Sequence, residues 1–600
     1  VSSVGPSETV VAHQPRLADH SADWRMLLLG LMALVVGTGG AASAWVLIRL
    51  IALVTNLAWY GRISAGPSLI LGAATGFKVV AIPVIGSLIV GLIARFGSDK
   101  IRGHGIPEAI EAILYGESRL SPKVALLKPL SSAISIGSGG PFGAEGPIIM
   151  TGGAIGSLFA QRFRLTAAER KTLLVAGAAA GMTGIFGTPV AAILLAVEVM
   201  LFEWKPRSFV PVVLASLCAL AWRPLLIGSG PLFAMAPALA PGAAMLALAG
   251  GLGLVAGLLA VLLSASLYRV EDLFHRLPVH WMWWPAIGAV VVGLGGLIEP
   301  RVLGAGYNNI QDLLHGSLLL KAALLLLVVK AAVWLTALGS GTSGGILAPL
   351  LIIGGALGAV AGCWLPGGAG LWALLGMAGV MSAAMRAPLT AAIFAVELTG
   401  RFELLPATAA SAAAAYALAV LVLKRSILTE KISRRGRHIL QEYTVDPLAL
   451  SQAEQIMTRN PETLAETMTI ADATHFFEQN AKHRSYPVVD ARGRPVGLAS
   501  RSDALRWRNA DLLPDETLRE QLSDSSMPVV HPNTPAVAIA NLMIAEDIGR
   551  VCVVSREDGR VIGIIARRNL LQARASTVRE ELERRVGGSR KAARRRRSAD

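Results

Sequence analysis

Residues 137–147 read GSGGPFGAEGP, a stretch too broken to form an ordinary membrane-spanning helix. It sets one carboxylate, Glu145, among five glycines and two prolines, while the flanks VALLKPLSSAIS and IIMTGGAIGSLF are strongly apolar. Glycine-rich backbone opening a helix exposes N–H groups that have no intrahelical partner, and the helix dipole adds partial positive charge there. Such an end attracts anions. Within a bilayer, irregular backbone survives only where protein buries it or where it lines a cavity. Glycines in apolar segments also let helices pack closely, and close packing is the preferred reading of GGAIG at 152–156.

The surroundings place this stretch in a membrane. Of the 600 residues, 53% are hydrophobic and 16% charged, well below the roughly one quarter charged that is usual in soluble domains. MLLLGLMALVVGTGGAASAWVLI (26–48), MLALAGGLGLVAGLLAVLLSASL (245–267) and LLLKAALLLLVVKAAVWLTAL (318–338) each suffice to cross a bilayer, which takes about 20 apolar residues. The first 23 residues are polar, so the first apolar run is expected to be a true span and not a cleaved leader. Three isolated cysteines support neither a disulfide framework nor a metal knuckle. Much of the +15 net charge lies in RSILTEKISRRGRH (425–438) and SRKAARRRRSAD (589–600). The positive-inside rule makes both cytoplasmic, and it makes ARFGSDKIRG (94–103), after the second span, cytoplasmic too, which puts the N-terminus inside as well. A basic tail on such a chain fits anionic lipid better than nucleic acid, and no nucleic-acid partner is expected.

The expected fold class is a polytopic α-helical membrane protein with an internal, inverted repeat, followed by an α/β pair. Residues 1–23 form a cytoplasmic segment and 24–440 the membrane domain, with repeats at roughly 75–240 and 241–440. Residues 441–515 and 516–575 form the α/β pair, and 576–600 a basic disordered tail. The membrane repeat is visible at an offset of 202 residues: GSGGPFGAEGP lies over GSGTSGGILAP (339–349), with Gly137, Ser138, Gly139, Gly143 and Pro147 matched by identical residues. Farther on, TPVAAILLAVEV (188–199) resembles APLTAAIFAVEL (387–398). Paired halves with Gly/Pro-interrupted segments at matching positions point to a transport site near the membrane midplane.

Two helix ends meeting at mid-depth would hold an anion without any full positive charge. Glu145 then has a purpose, because an ionised carboxylate is itself an anion and can occupy the place of a permeant one. Burial disfavours its charge while the helix end favours it. Charged, it plugs the path; neutral, it swings aside. A carboxylate fixed by a hidden partner is the other reading, and intramembrane acids are functional by default. Glu198 and Glu397 recur at one place in both repeats, so a structural role is expected for them. The soluble part repeats too: RSYPVVDARGRPVGLASRSDAL (484–505) parallels GRVCVVSREDGRVIGIIARRNLL (549–571), each reading as strand, turn, strand and helix start.

At this point the sequence resembles the CLC family of chloride channels and proton-coupled chloride transporters. GHGIPE (103–108) is similar to the family's GSGIP, GAEGP (143–147) to GREGP and GILAP (345–349) to GIFAP, while EPRVLGAGYNNI (299–310) fits the segment connecting the halves. Lys128 stands where the family has a lysine. The resemblance implies that Glu145 is the gate and that the amides of Ala144, Glu145 and Gly146 form an outer anion site. It makes Ile346 and Leu347 the central site and has Gly105, Ile106 and Pro107 shape the inner approach. It further implies a homodimer with one pore per subunit, no required cofactor, and chloride or a similar anion as cargo, with or without protons.

Three departures bear on mechanism. His104 replaces the motif serine; its ring can donate to an anion, or it can pack away from the path. Leu428 replaces the tyrosine expected at the inner side. Val199 stands where many exchangers carry a proton-relay glutamate, which favours conduction with weak or absent proton coupling over the alternative, a proton-coupled antiporter. The α/β pair resembles tandem CBS domains. Ser500 and Asp503 fit a ribose-binding pattern and Asn569 its weaker second copy, so an adenine nucleotide is one expected ligand and a structural module the other reading. A CBS-regulated divalent-cation transporter would need several acids along the path, and no HExxH motif, paired aspartates or Ser/Lys constellation marks the spans as an enzyme.

Overall fold

The computed structural model describes residues 24–236, 241–437, 448, 451–509, 515–522 and 527–573. The expected N-terminal segment 1–23, the start of the α/β region at 441–447 and the basic tail 576–600 lie outside the described residues. Two compact units form, one up to residue 437 and the other from residue 448.

The first unit is all helix. In chain order it contains α1 (Arg25–Tyr60), α2 (Lys78–Phe96), α3 (Ile106–Tyr115), α4 (Pro122–Gly137), α5 (Glu145–Ala160), α6 (Ala167–Phe186), α7 (Pro189–Leu195), α8 (Pro206–Leu226) and α9 (Ala243–His275). There follow α10 (Trp284–Ile298), α11 (Tyr307–Leu314), α12 (Leu320–Gly339), α13 (Leu347–Ala361), α14 (Ala369–Met385), α15 (Pro388–Thr399), α16 (Leu405–Val422) and α17 (Ile427–Arg434). Among the described residues seven helical segments are long and apolar enough to cross a membrane, so the chain is a multi-pass membrane protein. At 36 residues, α1 is longer than a perpendicular crossing requires and must tilt. By contrast α5 and α13, of 16 and 15 residues, stop short of a full crossing. Both are almost wholly buried in protein, which is what permits their broken N-terminal ends.

Local signals set these boundaries. Ser121 caps α4 through its Oγ, and Thr166 with Glu169 forms a capping box on α6. Proline opens α7, α8 and α15, where its missing N–H costs nothing. The repeat seen in the sequence is a repeat of elements: α3 to α8 recur as α11 to α16 in the same order. α5 packs on α6, and α13 on α14, through matched close approaches. A methyl group on Gly152 would strike the Gly177 carbonyl, and one on Gly354 would strike that of Gly376. Close packing is therefore what GGAIG at 152–156 does.

Glu198 and Glu397 lock the halves together. The Glu198 carboxylate accepts from Leu389 N at 3.2 Å, Thr390 N at 2.8 Å and Thr390 Oγ1 at 2.6 Å, at the start of α15. Glu397 accepts from Val190 N at 3.0 Å and Ala191 N at 2.8 Å, at the start of α7. Each glutamate caps the broken helix of the other repeat. After α7 the chain makes a π-turn over Ala196–Leu201, which contains Glu198.

The second unit has strands β1 (Thr458–Arg459), β2 (Leu464–Ala465), β3 (Ser485–Val489), β4 (Pro495–Ser500), β5 (Val529–Val530), β6 (Arg550–Val554) and β7 (Val561–Ala566). One sheet has the order β2-β3-β4 and the other β1-β7-β6-β5. In each, a short leading strand pairs in parallel with a hairpin, β2 with β3 and β5 with β6. β1 crosses to pair antiparallel with β7, so the first strand of the region completes the second sheet. One core gathers Leu464, Phe477, Tyr486, Val488 and Trp507; the other gathers Ile539, Met543, Val551, Val553 and Ile565. Burial pushes the Cys552 thiol up to about 12, and it serves as a small hydrophobe.

Glu397→Leu strips a charged acceptor from two N–H groups, one buried and one part-buried, each such bond being worth about 1.5–3 kcal/mol. Thermal unfolding in detergent should show a clearly lower Tm for this variant and for Glu198→Leu. An unchanged Tm in either would remove the interlock.

Candidate functional site

The two broken segments meet. Gly345 N donates to Gly143 O at 2.9 Å and Gly143 N donates to Gly345 O at 3.3 Å, a two-bond antiparallel bridge between the repeats. The bridge brings the N-termini of α5 and α13 together at Glu145. The carboxylate is wholly buried and lies against Gly143 and Gly345, where a Cβ on either glycine would collide with its oxygens. Neither oxygen completes a well-formed hydrogen bond. Even so, the N–H groups of Glu145 itself and of Ala348, together with the Tyr307 hydroxyl, approach closely enough to act on it. The acid thus sits among amides and a hydroxyl, and among the described residues no cation is paired to it.

A third helix end joins from α3. Gly103 N donates to Gly341 O at 3.3 Å and Gly344 N to Gly103 O at 3.4 Å, fastening the loop before α3 to the loop before α13. His104, Ile106 and Pro107 are buried here. Gly146 approaches the His104 carbonyl so closely that a side chain there would collide with it. The His104 ring has Nδ1 buried without a hydrogen-bond partner, and Lys128, Lys431 and Glu108 are the charged groups acting on it. Lys128 is fully buried and stitches these loops, donating to Ile101 O at 2.8 Å, Gly103 O at 2.7 Å and Ser343 Oγ at 3.1 Å.

Most of the residues picked out in the sequence therefore gather at one junction: His104, Gly105, Ile106 and Pro107 from α3, Ala144, Glu145 and Gly146 from α5, and Ile346 and Leu347 from α13. Three participants were missed. Ala348 supplies an amide one residue beyond the expected pair. Tyr307 opens α11, and its Oη accepts from Ala144 N at 3.2 Å, so that amide is already engaged. Lys330 is the third. Fully buried, it donates to Val302 O at 2.8 Å and Gly304 O at 3.1 Å, on the loop before α11. It lies 202 residues after Lys128, the offset of the repeat, and that was the available signal.

The profile of the voltage-gated chloride channel family matches residues 85–420, and CBS-domain profiles match 453–510 and 520–576. The chain belongs to the CLC family. A voltage-gated ClC-type chloride channel, ClcB, from Salmonella typhimurium is 32% identical over 335 residues, covering 54% of this chain and 80% of the relative. A putative ClcB-like chloride channel protein from Ralstonia nicotianae is 29% identical over 385 residues, covering 62% and 90%. Among solved structures, a slow cyanobacterial Cl-/H+ antiporter aligns with a TM-score of 0.60 at 23% identity, over 69% of this chain and 99% of that one. A eukaryotic CLC transporter aligns at 0.57 and 20% identity over 91% and 98%. CLC proteins are ion channels and transporters, not enzymes.

Within this CLC frame the remaining departures have definite places. Leu428 is fully buried on α17 and offers no donor. Tyr268 reaches that helix, but its hydroxyl donates to Ile427 O at 2.5 Å. Val199 is buried in the π-turn, and the carboxylate of neighbouring Glu198 is committed to α15. On α3, Glu108 pairs with Lys431 at 2.8 Å and Glu111 with Arg437 at 2.8 Å, tying α17 and the residues just after it to α3.

Lys128→Met leaves two carbonyls and a hydroxyl without their shared donor. Flux of reconstituted protein should fall by at least about tenfold, given 1.5–3 kcal/mol for each charged hydrogen bond. Flux equal to wild type would mean that the stitch does not set the site.

Proposed function

We propose that this chain carries chloride or a similar small anion across the bilayer along a path gated by Glu145, with proton coupling weak or absent. The observation that carries this reading is the position of the Glu145 carboxylate, an anion without a countercharge at the meeting point of two helix N-termini. A mobile anion of similar size is stabilised by the same dipoles. It can leave again because no fixed cation binds it directly. Ala144, Glu145, Gly146, Ile346, Leu347 and Ala348 supply the backbone around it, and His104 lies alongside. Weak coupling is supported by Val199, apolar and buried, with Glu198 already committed to a cap.

The second reading is proton-coupled antiport, and His104 favours it. Its backbone carbonyl abuts Gly146, next to the gate, and its buried ring keeps one nitrogen unpartnered, so an imidazole is available to a proton path. The reversal potential under a pH gradient separates the two. It follows the anion gradient alone if flux is uncoupled, and moves with pH by a fixed ratio if protons are exchanged. In either case Glu145→Gln, which is neutral at every pH, should give anion flux insensitive to external pH in liposomes. Retained pH dependence would sink the gate.

The proposal includes a homodimer in the cell membrane with both termini cytoplasmic. For the CBS pair it sets a structural role against a regulatory one, with an adenine nucleotide as the ligand to test. Ser500 Oγ donates to Asp503 Oδ2 at 2.5 Å, and Arg506 pairs with Asp503 Oδ1 at 2.9 Å. Asn569 Oδ1 accepts from Ala566 N at 2.9 Å in the second copy. These contacts cap the helices that follow, so a ribose must displace Arg506 to reach Asp503, and the structural role is the stronger of the two. Titration of the full-length protein with ATP and AMP checks it: heat at millimolar ligand that Asp503→Ala abolishes supports nucleotide binding, and no heat leaves the pair as a purely structural module.

A further inference from the structure

The repeat relates α3 to α11, so Tyr307 is the counterpart of Ile106, each the first residue of its helix. The two places are built alike. Lys128 holds the carbonyls of Ile101 and Gly103 ahead of α3, and Lys330 holds those of Val302 and Gly304 ahead of α11. The site therefore has four helix N-termini around it, and the fourth presents a phenol where the first presents an aliphatic chain.

That phenol is aimed. Its ring is packed by Phe186 at 6.3 Å and Phe233 at 6.0 Å between centroids, which leaves the hydroxyl little freedom. Oη accepts the Ala144 N–H at 3.2 Å, using a lone pair. A phenol has one proton to give, and the Glu145 carboxylate is close enough to act on it while both carboxylate oxygens still lack a hydrogen-bond partner. At the loops around it stand Lys128, near Gly105, Lys330, near Gly306, and His104. None of them is bonded to the carboxylate.

We infer that Tyr307 is a latch: its hydroxyl, seated on the Ala144 amide, donates to the Glu145 carboxylate and favours the state in which that carboxylate occupies the anion's place. This inference rests on the reading of Glu145 as the gate. The latch competes against the permeant anion, since whatever holds the carboxylate in place holds the anion out. Tyr307 is thus a positioning residue that acts through Glu145.

Tyr307→Phe removes one oxygen and keeps the ring between Phe186 and Phe233, so the variant folds; monodisperse elution checks this. Chloride flux into liposomes is measured against chloride concentration for wild type, Tyr307→Phe, Glu145→Gln and the double variant. With Glu145 present, Tyr307→Phe should lower the half-maximal chloride concentration by about tenfold, the value of a hydrogen bond to a charged group, and raise the rate at low chloride. With Glu145→Gln the same change should shift neither quantity. An unchanged half-maximal concentration overturns the latch. So does an equal shift in both backgrounds, or a rise in both, which would make the hydroxyl an anion ligand instead. If Glu145→Gln alone leaves pH dependence intact, the gate reading fails and the latch with it. If only the Tyr307 effect is missing, the gate stands without a latch.

Discussion

The whole arrangement depends on two hydrogen bonds between glycines. Gly143 and Gly345 exchange their backbone N–H and C=O groups across the boundary of the repeats, and by doing so fix the start of α5 against the start of α13. Helix ends are normally satisfied by water or by side-chain caps. Here each broken segment satisfies part of the other, and the amides of Glu145 and Ala348 lie close enough to one buried carboxylate to act on it. The glycines are required because the strands of backbone and the Glu145 oxygens approach too closely to admit a side chain.

Full charges are present nearby, but they have other work. Lys128 and Lys330 are fully buried, and each spends two donors on carbonyl oxygens of a loop that leads into a helix. A buried ammonium is tolerable only when its donors are met, so these lysines are loop organisers first. Neither lysine is bonded to the Glu145 carboxylate, so neither presents a cation there.

Much of this was legible in the sequence, through repetition rather than through any one motif. The 202-residue offset between GSGGPFGAEGP and GSGTSGGILAP gave the two halves, and the glycine spacing gave their broken ends. The recurrence of Glu198 and Glu397 marked them as structural. Their partners could not be read, because each caps a helix of the opposite repeat and that pairing exists only once the halves are packed. Lys330 was readable at the same offset, but it sits in an apolar run whose evident meaning was a membrane span. Tyr307 was hidden because GAGYNN passes for a connecting segment. Only the matched loops, each held by a lysine, make it the partner of GHGIPE. In the CBS unit the strand–turn–strand repeat was plain, while the crossing of β1 to the second sheet had no local signature.

Inverted-repeat transporters commonly work by rocking one repeat against the other. The contacts between halves argue against large rocking here. Besides the glycine bridge, Glu198 caps α15 and Glu397 caps α7, the Gly103 loop is bonded to Gly341 and Gly344, Gly304 N donates to Gly139 O at 2.9 Å, and Lys128 reaches Ser343. A rocking motion would break most of these together. Rotating the Glu145 side chain breaks no backbone bond at all. On the proposed reading of Glu145 as the gate, the least costly way to open this fold is to move one carboxylate while the interlock holds the surrounding dipoles still.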